Sequence, residues 1–342
     1  MELNVRLAGN EDYQAVLEMS KGHYEGHDNA PSCFKQWLLR DNITVLIATY
    51  QQKAIGLCAV SIIDDGQTFF SHGLRIHPHY RGKGFGTQLI LAVREFVRQN
   101  YPNVLRERYT TVNTHHARLA IASKTQDKLL FQQDSYAFVV KKDRIQLSKP
   151  DGLNSSYLSM VYKYDVEKFK KDLEKSQDLF KQGIMVINYE PYKAVPSNVD
   201  LCIEEGDCLF TDRTQGLYLQ QSNQLRSFSH GCIVHAAKFT QWAVTVFTND
   251  LVLFQGHLLL NLQVACQNIQ GDIIFRINHD QDKFLKETAV KLLQGTLGLE
   301  PETTRFEDFY ALLFEKELLL TRPLPSLSVR NFIGINVHLI CQ

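Results

Sequence analysis

Residues 74–89 read Leu-Arg-Ile-His-Pro-His-Tyr-Arg-Gly-Lys-Gly-Phe-Gly-Thr-Gln-Leu, and this stretch decides the fold. An apolar run ends at Ile76, Pro78 stops it, and apolar residues recur at helical spacing from Leu89 onward. The pattern predicts a strand, a glycine-rich turn and a helix. At such a turn, free backbone N–H groups and the helix dipole attract anions, so a ligand that carries a pyrophosphate is expected here.

The spacing of the glycines narrows the class of ligand. Counted from Gly82, a dinucleotide fingerprint needs a glycine where Thr87 stands, and a P-loop needs Gly-Lys-Ser/Thr after four intervening residues. A kinase glycine loop lies between two strands rather than before a helix. The pattern that remains is Arg81-x-x-Gly84-x-Gly86, preceded by a strand and a proline. An ordinary glycine-rich connection is the alternative.

The composition restricts the partners and the compartment. The 342 residues include 37 Lys and Arg against 37 Asp and Glu, which argues against nucleic acid as a partner. The seven cysteines form no Cys-x-x-Cys pair, and the twelve histidines complete no known ligand pattern, so neither a disulfide framework nor a metal site is expected. Because the sequence shows no signal-peptide pattern and no membrane-span pattern, we expect a cytoplasmic protein without membrane attachment.

The order of predicted elements describes two units. Residues 3–145 read as strand, two helices, three antiparallel strands, the glycine turn with its helix, and then strand, helix, strand. Residues 183–320 repeat the later part of that order, with strands predicted over Trp242–Phe247, Ile273–Ile277 and Phe309–Phe314. No comparable glycine turn precedes the helices of this second unit. It is therefore expected to lack a phosphate cradle, to cover the open side of the first unit and to complete the pocket of that unit. An unrelated α/β domain is the alternative.

The arginine–glycine motif and the element order resemble the GCN5-related N-acetyltransferase (GNAT) superfamily. This resemblance implies an N-acetyltransferase with acetyl-CoA as cosubstrate and no metal. The implied fold is α/β, a mixed and mostly antiparallel central sheet flanked by helices, followed by a second, degenerate GNAT-like α/β domain. The boundaries expected are an acetyltransferase domain over 1–145, a linker over 146–182, the second domain over 183–320 and a tail over 321–342.

Further segments are similar to the family of histidine N-acetyltransferase and its relatives. These segments are His27–Pro31, Ile63–Gly66, Gly73–Gly84, Ile187–Pro196 and Leu297–Glu300. The likeness covers roughly residues 1–320 and implies acetylation of a small primary amine, above all the α-amine of a free amino acid such as histidine. Two other functions stay open. One is a CoA-binding pseudoenzyme with a regulatory role, since the predicted helix 117–124 lacks a tyrosine acid; the other is a protein or peptide N-acetyltransferase.

The resemblance places the cosubstrate on the glycine turn and on the strand before it. Backbone N–H groups there would hold the pyrophosphate and polarise the thioester carbonyl. Asn113 would contact the pantetheine arm, and a helix cap is its alternative role. The cofactor-binding residues expected are Leu74, Ile76, Arg81, Gly82, Lys83, Gly84, Phe85, Gly86, Thr87 and Asn113.

Catalysis needs a base for the amine and can use an acid for the leaving thiolate. His72, on the strand before the turn, is the candidate base, because an imidazole has an ordinary pKa of about 6.5. A packed or surface histidine is the alternative for His72. For the acid, the candidates are Tyr109, His115 and His116, and the alternative is that the thiolate leaves unprotonated. The loop between the first two helices is the candidate substrate contact through Tyr24, Asp28 and Asn29, and a structural role is the alternative for Asp28.

Overall fold

The computed structural model describes residues 3–141, 161–212, 224–304 and 309–318; the predicted tail lies outside them. In the first half, every predicted strand and helix is present, with its ends shifted by a few residues at most. The strands are β1 (Asn4–Leu7), β2 (Ile43–Tyr50), β3 (Lys53–Ile63), β4 (Thr68–Ile76), β5 (Arg106–Val112) and β6 (Lys128–Val140). The helices are α1 (Tyr13–Ser20), α2 (Ala30–Trp37), α3 (Phe85–Asn100) and α4 (His116–Thr125).

The second half repeats this order and adds a hairpin. Its strands are β7 (Val161–Lys163), β8 (Ile184–Ile187), β9 (Glu190–Lys193), β10 (Cys208–Asp212), β11 (Phe228–His235), β12 (Thr240–Phe247), β13 (Ile273–Asp280), β14 (Glu300–Pro301) and β15 (Tyr310–Glu317). Its helices are α5 (Val166–Leu173), α6 (Pro196–Cys202), α7 (Leu251–Asn268) and α8 (Lys283–Val290).

The stretch predicted as a partly helical linker that packs on one side, residues 146–182, contains a helix and also a strand of the sheet where it is described. Residues 146–160 lie outside the described residues, but β7 pairs with β10 and belongs to the sheet. Phe169 and Leu173 of α5 are fully buried in an apolar cluster of the second half. The lysines that make this segment look like a polar linker lie on the outer side of a helix whose inner side is apolar.

The two halves share one sheet. Its strand order is β1-β2-β3-β4-β5-β15-β6-β13-β12-β11-β10-β7, with β14 beside β6. β15 of the second half pairs with β5, and β6 of the first half pairs with β13. The last strand of each half thus pairs with a strand of the other half, and β6 and β15 lie side by side between the halves. The sequence predicts these two strands but not their exchange, because pairing across so many residues leaves no local pattern.

β2 shows why helices cover both faces of the sheet. Successive side chains of a strand point to opposite faces of the sheet. In β2, the four consecutive residues 45–48 are all apolar and buried. Val45 and Ile47 pack in the cluster under α1 and α2, whereas Leu46 and Ala48 pack under α3. In the second half, α7 and α8 cover β12 and β13 through a cluster that includes the fully buried Trp242. Among the described residues, no helix combines the length and the apolar composition needed to cross a bilayer.

Candidate active site

A bulge at Gly73 opens the sheet between β4 and β5. These strands pair in parallel only over Thr68–Phe70 and Arg106–Arg108. Beyond that, β4 has one residue more than the facing part of β3, and such a bulge bends a strand. Gly73 has a φ of +64°, and a Cβ there would lie 3.0 Å from the Trp37 ring, so only glycine fits. The result is a wedge between two diverging strands.

The predicted glycine turn lies between the end of β4 and the start of α3. Gly82 and Gly84 have φ values of +74° and +83°, and a Cβ on either would meet no atom within 4 Å. The Gln88 N–H donates to the Gly84 carbonyl at 3.2 Å and begins the ladder of α3. The N–H groups of the turn before it therefore have no carbonyl to bind within the helix. Open space, backbone donors and a helix N-terminus together suit a phosphate group.

Arg81 braces this turn. Its Nε donates to the Ile76 carbonyl at 2.9 Å, and its guanidinium also donates to the Met19 carbonyl at 3.3 Å. The side chain thus ties the turn to the end of β4 and to α1. Lys83 is exposed, with Nζ 5.5 Å from the Tyr80 ring centroid. Because Arg81 and Lys83 are both exposed, their charges and the backbone of the turn can face an anion together.

The other residues predicted to bind the cosubstrate would contact it mainly through backbone groups. Leu74 and Ile76 follow the bulge, on the part of β4 that no longer pairs with β5. Their side chains pack against the apolar cluster under α3. Phe85 is buried, and Gly86 and Thr87 lie with it in the first turn of α3. These residues line one continuous backbone path from the wedge to the helix end.

Asn113 holds the second half in place. Its Oδ1 accepts the Tyr310 N–H at 3.1 Å, and its own N–H donates to the Tyr310 carbonyl at 3.1 Å. These bonds join β15 to the end of β5. The N-cap of α4 is His115, so Asn113 is not the cap that the sequence allowed as its alternative role. A contact between Asn113 and the pantetheine arm stays a prediction.

A cavity of about 380 Å³ adjoins the wedge and lies between the two halves. The first half lines it with α2, with Gly73 of β4 and with residues 110–112 of β5. The second half lines it with the β8–β9 hairpin, β11 and Arg276. Tyr24 and Asn29, both predicted to contact substrate, lie in its wall. The sequence predicts that the second unit completes the pocket of the first, but the chain order does not indicate which residues line the cavity, because they meet only in the folded protein.

Asp28 has the structural role that the sequence analysis kept as an alternative. Its carboxylate accepts two hydrogen bonds from the Arg75 guanidinium, at 2.5 and 3.2 Å, and one from the Ala30 N–H at 3.0 Å. Burial by itself would raise the pKa of Asp28, but the charge and hydrogen bonds of Arg75 outweigh it and hold the pKa below its usual range. The carboxylate therefore anchors the substrate loop to β4 and does not line the cavity.

His72 lies in the cavity wall but is a weak base there. Its Nε2 is 2.9 Å from Ser61 Oγ, and its ring stacks on Phe70 with the centroids 4.8 Å apart. Burial, together with the charge of Arg75, lowers the pKa of His72 to about 3. The imidazole is neutral at physiological pH and holds a proton poorly. These contacts match the packed histidine that the sequence analysis kept as its alternative.

Tyr109 is buried under α4, outside the cavity lining. Its hydroxyl donates to Asp127 Oδ2 at 2.8 Å, and its ring stacks on Phe314. The Arg118 guanidinium lies 3.4 Å from its ring centroid. Burial raises the pKa of the Tyr109 phenol. This placement removes the support for Tyr109 as the acid, because its hydroxyl serves the packing of α4.

Tyr24 joins the loop between α1 and α2 to the wedge. Its hydroxyl lies 3.3 Å from His115 Nδ1, which is also 3.4 Å from Thr111 Oγ1 of β5. The Arg75 guanidinium carbon lies 5.2 Å from the centroid of its ring. Burial lowers the pKa of His115 to about 4, so this histidine is neutral as well. Tyr24 thus lines the cavity and contacts a neutral histidine that lies outside the cavity lining.

Sequence reasoning misses the groups that the second half supplies. The hairpin between β8 and β9 turns at Asn188 and Tyr189, both with positive φ. Its tip reaches β5, where Thr110 Oγ1 donates to the Tyr189 carbonyl. Glu190 follows in the cavity wall; burial raises the pKa of its carboxyl, although the Tyr192 hydroxyl donates to it. One signal was available in the sequence: Arg276 interrupts the apolar run Ile-Ile-Phe-Arg-Ile of a predicted strand.

Comparison with known proteins gives the class of protein. Residues 11–121 match the acetyltransferase (GNAT) family model. A GCN5-related N-acetyltransferase from Sphaerobacter thermophilus superposes with a TM-score of 0.56 at 10% identity, over 92% of this chain and 95% of that one. A tandem GNAT protein from the clavulanic acid biosynthesis pathway does so with a TM-score of 0.54 at 13% identity, over 92% and 98%. These structures share the fold of this chain, and its residues 11–121 are similar to the GNAT family.

The chain is also similar to histidine N-acetyltransferases. Residues 156–280 match the model of the histidine N-acetyltransferase C-terminal region. The enzyme of Scomber australasicus is 38% identical over 108 residues, which is 32% of either chain. The enzyme of Xenopus tropicalis is 24% identical over 214 residues, 62% of this chain and 66% of that one. The matches to these relatives thus span less than two thirds of their length.

Proposed function

We propose that this protein is an acetyl-CoA-dependent N-acetyltransferase that acetylates the α-amine of a free amino acid such as histidine. The observation that carries the proposal is the wedge between β4 and β5. It connects the phosphate-type turn before α3 to a cavity that the second half encloses. A cavity of about 380 Å³ with walls from both halves supports a small amine over a peptide, which needs a long groove. The similarity to histidine N-acetyltransferases supports the same reading.

The residues of the wedge fit acetyl-CoA. The Gly82–Gly84 turn leaves room for phosphate oxygens, and the backbone of β4 after Gly73 offers hydrogen-bonding groups along the wedge. When bound, acetyl-CoA supplies the acetyl group: the amine nitrogen bonds to the carbonyl carbon, the carbon–sulfur bond breaks and the CoA thiolate leaves. A backbone N–H of Leu74 or Ile76 polarises that carbonyl, and one such donor is typically worth ~10²–10³ in rate.

The amine must lose a proton, and Glu190 is the acceptor. Glu190 lines the cavity, and burial raises the pKa of its carboxyl, which makes the carboxylate a stronger base. His72 faces the same cavity, but its pKa of about 3 makes it a weaker acceptor. His72 instead shapes the pocket through its contact with Ser61. General-base catalysis of this kind contributes about 10²–10⁴ in rate.

The first test is thiol release from acetyl-CoA by the purified protein, with each free amino acid, several polyamines and several peptides as acceptors. Turnover with one amino acid, with histidine leading, is expected. Peptides that react faster than every amino acid would point to a peptide acetyltransferase. Acetyl-CoA binding without turnover on any amine would overturn the enzyme reading in favour of a CoA-binding regulatory protein.

A further inference from the structure

Arg276 is a buried cation that faces the cavity from the second half. It lies on β13, where Ala137 of β6 and Ala243 of β12 are its neighbours in register. Neighbours paired in register point to the same face of a sheet, so two small side chains flank the arginine. The residue is 4% exposed and lines the cavity. The sheet thus leaves space around a guanidinium that solvent hardly reaches.

The partners of Arg276 are all neutral. One terminal nitrogen donates to Gln241 Oε1 at 3.3 Å, and the other donates to Asn188 Oδ1. Its Nε is buried and has no hydrogen-bond partner in the part of the chain that the structure describes. Among the described residues, no carboxylate forms an ion pair with it. A buried charge that lacks a counter-ion costs several kcal/mol, so this arrangement suits a site that awaits an anion.

The other arginines of the cavity wall differ from Arg276. Arg75 is paired with the buried Asp28. Arg40 is paired with Glu204 at the rim. Both positive charges are therefore already compensated within the protein. Among the described arginines that line the cavity, Arg276 alone has its charge available for a ligand.

The hairpin tip holds the guanidinium at the junction of the halves. The Arg276 guanidinium carbon lies 4.6 Å from the centroid of the Tyr189 ring. The Tyr189 hydroxyl lies 2.7 Å from Ser135 Oγ of β6, and its carbonyl accepts a hydrogen bond from Thr110 of β5. Arg276 is thereby linked, through one residue, to the strand that borders the wedge. A ligand bound to it would lie in the cavity that adjoins the wedge.

We infer that Arg276 binds the carboxylate of the amine substrate, so that the substrate class is α-amino acids rather than amines that lack a carboxylate. A planar guanidinium with an unused N–H edge matches a carboxylate in charge and in geometry. This inference rests on the proposed function. It goes further, because it names the group that selects the substrate and assigns that selection to the second half of the chain.

The test compares binding of histidine, histidinamide and histamine by titration calorimetry, with free CoA present. The proteins are the parent, Arg276→Gln, Arg276→Lys and the control Arg226→Gln, which removes an exposed arginine of the same half. Loss of a charge-assisted hydrogen bond predicts histidine binding about 10- to 100-fold weaker in Arg276→Gln. Histamine and histidinamide should bind the parent and Arg276→Gln equally, and Arg226→Gln should match the parent. Arg276→Lys, which keeps the charge without the fork, should fall between.

Thermal unfolding provides a second readout that does not depend on turnover. Arg276→Gln removes an uncompensated buried charge, so its Tm should equal or exceed that of the parent without ligand. Saturating histidine should raise the Tm of the parent but not that of Arg276→Gln. Equal histidine binding by parent and variant, or no histidine binding by the parent, would overturn the inference. Histidine binding that depends on Arg276 without thiol release would instead overturn the proposed function alone.

Discussion

Asp28 Oδ1 lies 2.5 Å from a terminal nitrogen of Arg75, and this pair joins the loop between α1 and α2 to the bulged strand β4. The Asp28 side chain is fully buried and that of Arg75 is 7% exposed. The same loop bonds to the second half, since the Asp28 carbonyl accepts the Ala237 N–H at 2.9 Å. One buried ion pair therefore positions a wall of the cavity against both halves.

Replacement of Asp28 by Asn should destabilise the protein by about 3–5 kcal/mol, because it leaves the Arg75 charge buried without a counter-ion. Urea unfolding measures the change. Asp41→Asn, at an exposed position near the start of β2, is the matched control and should change stability by less than about 0.5 kcal/mol. The double variant Asp28→Asn/Arg75→Gln should recover part of the loss. Equal stability of Asp28→Asn and the parent would contradict this account.

Gly84→Ala should weaken acetyl-CoA binding without affecting the rest of the fold. Alanine at a φ of +83° costs about 1–2 kcal/mol, and its Cβ would project into the open space of the turn. Gly271 has a φ of +77° and equally open surroundings, but it lies in the second half before β13. Gly271→Ala should therefore lose similar stability while only Gly84→Ala raises the KM for acetyl-CoA, by about tenfold or more. A KM raised equally in both variants would exclude the turn as the phosphate site.

Glu190→Gln should lower kcat by about 10²-fold or more, whereas His72→Gln should lower it by less than tenfold. The reason is the opposite effect of burial on the two groups, since it raises the pKa of Glu190 and lowers that of His72 to about 3. The kcat profile from pH 5 to 9 measures both. In His72→Gln, the profile should keep the shape of the parent. A loss confined to His72→Gln would restore the histidine as the base.

Stability should fall as the pH drops from 6.5 toward 3, because burial holds His257 neutral. Its pKa is lowered to about 3, and Ser229 Oγ and Ser227 Oγ lie 2.7 and 2.9 Å from its two ring nitrogens. The unfolded chain takes up a proton below its ordinary pKa of about 6.5, whereas the folded protein does not, so each such histidine costs about 1.4 kcal/mol per pH unit in this window.

His257→Gln should reduce the dependence of the free energy of unfolding on pH by about 1.4 kcal/mol per pH unit, the contribution of one proton. Urea unfolding at pH 4, 5 and 6 measures it. His116→Gln, at an exposed position at the start of α4, provides the matched control for the replacement of a histidine by glutamine. His23, His72 and His115 also have pKa values lowered by burial, so a residual slope is expected in His257→Gln. If the stability of His257→Gln depended on pH as steeply as that of the parent, His257 would not take up a proton on unfolding.

Much of the site could be read from the sequence where its parts are adjacent in the chain. The run through Arg81, Gly84 and Gly86 predicts the strand, the turn and the helix, and the structure has them in that order. The roles of individual side chains are harder to predict from the sequence. Asp28 and Tyr109 have the residue types that chemistry needs, but burial and partners such as Arg75 and Asp127 commit them to structure. A residue type records what a side chain can do, whereas its surroundings determine what it does.

The sequence by itself determined the elements and the glycine turn, because strand alternation, helical spacing and turn residues act over a few neighbouring positions. Only the tertiary structure decided that β6 and β15 exchange between the halves and that Arg276 and Tyr189 meet β5 in one cavity. Those contacts join residues far apart in the chain. They depend on which strands pair in the sheet and on whether a buried charge has a counter-ion. Neither property can be read from neighbouring residues in the sequence.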